Sequence, residues 1–295
     1  MIPLTDPQIQ TRPGWTRPAA VAGAFYPQDA AALRRLIETL LAQAAASTRG
    51  QKQASRPPKA IIAPHAGYRY SGPVAASAYA ALAPHRSSIE RVILLGPSHH
   101  AHFDGLAASS ADAFETPLGP APLDREAIHR LLRLPFVHIF DEAHAPEHSL
   151  EAHLPFLMHV LSRPEGDNDP PTGASSASFG LVPLLFNSTQ AEQVADVLEE
   201  LWDGPQTLIV VSSDLSHFLD YADAKRVDGY TAEAITRAWP WRIGPKQACG
   251  HTAIQGLLLA AQHHGLEAQA VDLRNSGDTA GPRDRVVGYG AFLFA

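Results

Sequence analysis

Three apolar runs in this chain end in side chains that bind metals or move protons. "AIIAP" is followed by His65, "VILLGPS" by His99 and His100, and "LIVVSS" by Asp214 and, three residues on, His217. One histidine after one strand is usually a hydrogen-bonded loop residue. Three strand ends of the same kind point elsewhere, because ligands of open α/β sheets sit outside the carboxyl ends of the strands. The pattern predicts a single pocket on which His65, His99, His100, Asp214 and His217 converge. Asp214 also has a structural reading as a helix cap that bonds backbone N–H groups, which leaves His217 unexplained.

Cys249, the only cysteine, precedes Gly250 at the opening of a helix. A thiol there is either a small buried hydrophobe or, shifted toward thiolate by the helix N-terminus, a metal ligand or nucleophile; both readings stay open. The segment "HAPEHSLEAHLP" carries His144, Glu147, His148, Glu151 and His153. Its histidines lack the i,i+4 spacing of a zinc-binding H-E-x-x-H helix, so it reads as a pocket wall with one or two histidines behind the ligands. His263 and His264 end a helix, where imidazoles meet its dipole and last carbonyls. There is no phosphate-binding G-x-x-x-x-G-K-[ST] and no G-x-S-x-G elbow.

The elements that must position these residues alternate. An amphipathic helix follows the Asp29 cap, a strand covers Ala60–Ala63, and a small-residue helix covers Pro73–Ala83 with Pro73 in its first turn. The strand ending at His99 comes next, then a helix from Asp124 to about Leu134. A further helix spans Glu147–Leu161, kinked or started late by Pro155. After the loop Arg163–Ser178 come a strand (Phe179–Phe186), a helix capped by Thr189 with Glu192, and the strand from Thr207. Helices at Ala222–Ala238 and from Cys249 to His264 follow, the second stopped by Gly265, and two strands close the chain. Such alternation predicts an α/β fold: a single domain with a central mixed, largely parallel β-sheet flanked by helices. Residues 1–16 read as an irregular lead-in, 17–295 as the domain, and the stretch near 163–178 as a flexible insertion.

At 295 residues, 45% hydrophobic and 18% charged, the composition is that of a globular protein with a sizeable core. A net charge of -7 with dispersed Arg and Lys argues against nucleic acid and anionic membrane as partners. No apolar run approaches the roughly 20 residues of a membrane span, and the N-terminus lacks a signal pattern, so a cytoplasmic location is expected. With one cysteine, no intrachain disulfide forms.

The motifs "RPAAVAGAFYP", "IIAPHAGYRYSG", "ILLGPSHH", "EHSLEAHLPF", "VVSSDLSH", "ACG" and "VVGYGAF", in this order from about Arg17 to the C-terminus, resemble the Memo family. Its prokaryotic members are called AmmeMemoRadiSam system protein B. The resemblance implies a fold shared with class III extradiol dioxygenases, the ring-cleaving non-haem iron enzymes. It implies metal ligands at His65 and His99, with Cys249 where the ring-cleaving enzymes use a carboxylate. It also sets His217 where those enzymes carry a catalytic histidine, with Asp214 beside it, and leaves Tyr68, His100 and His148 as candidates for the substrate wall.

Thiolate in place of carboxylate softens the site, favouring zinc or copper relative to iron without excluding iron. The expected cofactor is a divalent or redox-active metal, iron first, with copper or zinc as alternatives. The expected function is metal-dependent redox chemistry on an unidentified small molecule or modified group. One alternative is a zinc- or thiol-dependent hydrolase, with a fourth position left for water. Another is a non-catalytic module binding a small-molecule or peptide ligand. The family's name implies radical-SAM and AMMECR-type pathway partners.

Overall fold

The computed structural model describes residues 14–47, 57–161 and 177–295. Most of the expected N-terminal lead-in, of the polar loop after Ser47 and of the insertion near 163–178 lies outside the described residues. The first strands are β1 (Thr16–Arg17), β2 (Ala60–Ala63), β3 (Arg91–Pro97), β4 (Leu106–Ala108), β5 (Ala113–Phe114) and β6 (Ala121–Pro122). After them come β7 (Val137–Ile139), β8 (Gly180–Phe186), β9 (Thr207–Ser212), β10 (His217–Leu219), β11 (Ala268–Asn275) and β12 (Val286–Phe294). The helices are α1 (Ala30–Ser47), α2 (Tyr68–Ala80), α3 (Arg125–Leu131), α4 (Asp141–His144) and α5 (Leu154–Leu161). They continue with α6 (Ala191–Glu200), α7 (Tyr221–Thr236), α8 (His251–His264) and α9 (Ser276–Thr279).

The main sheet runs β10-β12-β2-β9-β3-β8-β4-β7, with β11 on the other side of β12. β2, β9, β3 and β8 are mutually parallel. Their buried, near-continuous apolar runs suit strands covered on both faces. β12 is antiparallel to β2, β10 and β11, and β4 is antiparallel to β8. The sheet is therefore mixed as expected, but parallel pairing is less general than "largely parallel" implied. The short β4 and β7, each of three residues, carry too few side chains to announce themselves. β1, β5 and β6 form a separate small sheet.

Leu33, Ile37, Leu40 and Ala44 make one buried face of α1, and Asp29 accepts the Ala32 N–H at 2.8 Å as its cap. α1 packs on α2 and α5, while α6 packs on α8 and α3. Other elements depart from the sequence reading. α2 begins at Tyr68, before Pro73: the Gly67 carbonyl takes the first N–H bonds, and Pro73 sits inside the helix, where its missing N–H forfeits a single bond. The box opening α6 is closed by Gln193, not Glu192; its amide oxygen takes both the Gln190 N–H and the Thr189 hydroxyl. α5, by contrast, takes the late start that Pro155 allowed: a 3-10 turn, Glu151–His153, precedes it, and residues 147–150 are loop. Among the described residues no helix is long and apolar enough to cross a membrane.

Candidate metal centre

The register of the central strands decides where their ends emerge. Ala63 of β2 lies opposite Ser212 of β9, and Leu95 of β3 opposite Val211, so the residues after all three strands leave at one edge. In chain order the path runs from β2 to β3, out to β8, and back to β9 between the first two, which makes this edge a topological switch point. His65 follows β2, His99 follows β3, and Asp214 follows β9. Cys249 stands just before the Gly250 cap of α8. One ligand atom from each of His65, His99 and Cys249 lies within 4.8 Å of the other two.

Each imidazole is held by its inner nitrogen. The Ser212 hydroxyl donates its only hydrogen to the Ser149 carbonyl at 2.6 Å, so it accepts from His65 Nδ1–H, also at 2.6 Å. His65 Nε2 is thereby left with a free lone pair, 3.6 Å from Cys249 Sγ. His65 is only 2% exposed, and burial, helped by the neighbouring His99 and His148, pushes its pKa well below the ordinary value. It is a neutral ring, as ligation requires.

His99 Nδ1–H donates to Glu147 Oε1 at 2.9 Å, while the His99 backbone N–H donates to Oε2 at 2.5 Å. Oε1 also accepts the backbone N–H of His148 and Ser149, each at 2.9 Å. Burial alone would raise the Glu147 pKa; the His99 ring and these N–H groups reverse that and hold it far below the carboxylate range. A carboxylate that orients a histidine through Nδ1 and frees Nε2 is the usual support of a metal-ligating imidazole. Glu147 was read from the sequence only as pocket wall. Its partner is 48 residues away, and no local spacing reveals the contact.

Two glycines permit these approaches. A Cβ at Gly96 of β3 would stand 2.7 Å from both Leu150 Cδ2 and Ser149 Oγ, so the glycine lets the 147–150 loop lie on the strand end. A Cβ at Gly250 would stand 2.5 Å from Ser213 Cβ, so α8 can bring Cys249 against β9. The loop is clamped from behind by the buried Arg17, which donates to the carbonyls of His144 and Glu147 at 2.7 Å each and to Glu151 at 2.6 Å. Glu151 also accepts from Ala20 N, Val21 N and the Tyr26 hydroxyl.

Of the two readings left open for Cys249, its surroundings favour the buried, unactivated thiol. Burial, with the Asp214 carboxylate beside it, pushes the thiol up to about 12. Asp214 is 4% exposed; its Oδ1 accepts His65 N–H at 2.9 Å, and its carbonyl accepts Cys249 N–H at 3.3 Å. It therefore ties the ends of β2 and α8 together, and burial raises its own pKa.

The remaining sequence candidates divide. His148 stacks on His99 at 4.7 Å between ring centroids and meets Phe25 at 4.9 Å, with His100 at 6.0 Å. His217 is exposed at the rim, its Nδ1–H donated to the Leu215 carbonyl at 2.8 Å, which leaves Nε2 free. Tyr68 is not brought to this rim. It is 3% exposed, packs on Tyr26 and Phe156, and donates its hydroxyl to the Ala152 carbonyl at 2.8 Å. At the far end of α8, His263 and His264 meet Glu199 at 2.9 Å each, rather than the last helical carbonyls alone.

Two imidazoles and one thiol fit a transition metal of borderline or soft character, and do not fit magnesium or calcium, which require oxygen. A second group, His99, Glu147 and His148, is equally compact, but three N–H donors besides the His99 ring already engage its carboxylate.

The fold and site define an α/β protein whose His-His-Cys donor set stands at the carboxyl edge of a mixed sheet. The model of the Memo-like protein family matches residues 17–293, and the chain belongs to that family. It is 32% identical to a MEMO1 family protein of Aquifex aeolicus, 33% to one of Methanopyrus kandleri and 34% to one of Ignicoccus hospitalis. Each alignment covers 94% of this chain and 98% of the relative.

Proposed function

We propose that this protein is a metal-dependent redox enzyme, acting on a small molecule or modified group through His65, His99 and Cys249 as ligands. The observation that carries the reading is the double tether: Ser212 and Glu147 each take an Nδ1–H, so that each ring keeps a free Nε2 lone pair, that of His65 3.6 Å from the Cys249 sulfur. Iron is the metal proposed first, with copper or zinc as alternatives, in a site of non-haem dioxygenase type on a class III extradiol dioxygenase-like scaffold. The metal would supply Lewis acidity and, if iron or copper, one-electron chemistry.

The chain's own residues supply the rest. His217, with Nε2 free at the rim, is the group that accepts and returns a substrate proton. Asp214 is a positioning residue, holding the backbone of His65 and Cys249 in mutual register. His148 and His100 form the wall against which a ligand rests, while Tyr68 supports that wall from the core. We place the protein in the cytoplasm, in a shared pathway with radical-SAM and AMMECR-type partners, which co-purification tests.

The deciding experiment is metal content and affinity of anaerobically purified protein beside His65→Ala, His99→Ala and Cys249→Ser. Near-stoichiometric metal lost in all three variants supports the site. Metal unchanged in Cys249→Ser moves the third ligand to another residue, and absence of metal after reconstitution sinks the metalloenzyme reading. Oxygen-independent hydrolysis by a zinc-loaded protein would favour the hydrolase instead.

A further inference from the structure

The far end of α8 carries a group of metal-ligating side chains that the strand-end centre does not use. At 1.5 Å per residue, His264 stands roughly 20 Å along the helix from Cys249. His263 and His264 close α8, and Glu199 lies in the last turn of α6. One ligand atom from each of the three lies within 4.8 Å of the other two.

Helix packing brings them together. A Cβ at Gly256 would stand 2.5 Å from Val194 Cβ and 2.8 Å from the Ala191 carbonyl, so the glycine lets α8 lie directly against α6. His263 and His264 follow Gly256 by two helical turns on the same face, and Glu199 follows Val194 along α6. Both helices run the same way from their contact, and their C-terminal ends meet.

Each ring turns a nitrogen to the one carboxylate: His263 Nδ1 to Oε1 and His264 Nε2 to Oε2, both at 2.9 Å. Trp202 fixes the His264 pose, stacking on it at 3.8 Å between centroids and 7° between planes. A tetrahedral ion with bonds of about 2.0–2.1 Å needs ligand atoms about 3.3 Å apart, so each N–O pair opens by only a few tenths of an ångström. Each exposed imidazole then carries its proton on the other nitrogen, toward water. The carboxylate and the negative end of α8 favour a cation. Lys59, over the Trp202 ring at 5.1 Å, is committed to the carbonyls of Trp202, Gly204 and Thr207 rather than to Glu199.

We propose that Glu199, His263 and His264 form a second, exchangeable metal site, for a zinc-type divalent ion that ties the end of α6 to the end of α8. Two imidazoles and one carboxylate suit such an ion and leave a position for water. With no thiolate, this donor set is harder than that of the strand ends.

The test is cobalt titration of the full-length, metal-stripped protein, followed by indole fluorescence and near-ultraviolet absorption. Paramagnetic cobalt on His264 lies against Trp202 and quenches it, whereas thiolate-to-cobalt absorption reports Cys249. The parent shows a saturable quench that zinc reverses. Glu199→Gln and His264→Gln each weaken that transition about tenfold or more, since a chelate loses one of its linked ligands. Both leave any thiolate absorption within twofold of the parent. His65→Ala keeps the quench, and Trp202→Phe removes it while retaining, in equilibrium dialysis, the cobalt bound by the parent. A parent without saturable quenching up to about 1 mM cobalt overturns the proposal. So does a quench unchanged in both Glu199→Gln and His264→Gln, or one that zinc fails to reverse. The two signals arise at different residues, so failure of the strand-end centre removes the absorption alone, and failure of this site removes the quench alone.

Discussion

Glu147→Gln isolates the carboxylate behind His99. Glu147 accepts four N–H groups: the His99 ring and the backbone of His148 and Ser149 on Oε1, and the His99 backbone on Oε2. Glutamine has a single acceptor oxygen. Placed at the Oε1 position it keeps three bonds and turns its NH2 toward the His99 backbone N–H; reversed, it keeps one bond and faces the imidazole with a donor. Either orientation replaces charge-assisted bonds with neutral ones and leaves a donor against a donor. A bond to a charged group contributes about 1.5–3 kcal/mol, so the apo protein should lose about 2 kcal/mol of stability. Loss of a carboxylate that orients a ligating histidine typically lowers metal affinity about 10–100-fold. Competition against a chelator of known affinity, with urea unfolding of the apo protein, reads both quantities. Affinity within twofold of the parent would refute the orienting role. A loss beyond about ten-thousandfold would refute it differently, by making Glu147 itself a ligand.

Three further outcomes follow from neighbouring features. Gly250→Ala drives a methyl group to 2.5 Å from Ser213 Cβ and 2.8 Å from the Ser212 carbonyl. It should cost about 1–3 kcal/mol in a thermal melt and weaken metal binding, since α8 must retreat with Cys249; an unchanged metal affinity counts against that coupling. Asp228 is buried beneath β12, and burial raises its pKa from 3.8 to about 6. The folded state therefore holds this proton more tightly than the unfolded chain, and stability falls as pH rises from about 4 through 6. Asp228→Asn, which can still accept the Ser216 N–H, should gain up to about 3 kcal/mol above pH 6 and nothing below pH 4; a pH-independent difference contradicts the assignment. His144 is the opposite case, with burial lowering its pKa from 6.5 to about 4. Its stability contribution is full above 6.5 and lost as pH falls through 4, because the unfolded chain takes up the proton first. His144→Gln should therefore show a shallower decline in urea-unfolding stability between pH 7 and pH 4, by up to about 3 kcal/mol.

The strand that ends in His65 was legible because apolar residues without polar interruption, followed by a turn, describe a strand buried on both faces, and β2 spans the residues expected. The convergence of His65, His99 and Asp214 was legible for a related reason: parallel strands share one carboxyl edge. What escaped the sequence depends on distance along the chain. Glu147 reaches His99 only because Gly96 admits its loop and Arg17, 130 residues earlier, grips that loop's carbonyls. The setting of Tyr68 is local: at the first turn of α2, its ring packs on Phe156 and is buried. The sequence left the Cys249 thiol open because nearness to a helix start suggests activation, whereas burial beside Asp214, which only the fold reveals, acts the other way.

The placement of β9 between β2 and β3 sets a schedule for the protein's birth. The proposed ligand set begins at residue 65 and closes at residue 249, and the strand that fills the gap between its first two members is synthesised after β8, which lies beyond them. A nascent chain still on the ribosome has His65 and His99 on strands whose shared neighbour does not yet exist. Contacts of such long sequence separation form late, after the loops between them have been closed. On the proposed metal reading, metal is captured after the sheet has been completed rather than used as a nucleus to assemble it. Cells starved of the metal should accumulate apo protein that is folded and loadable, not a misfolded precursor.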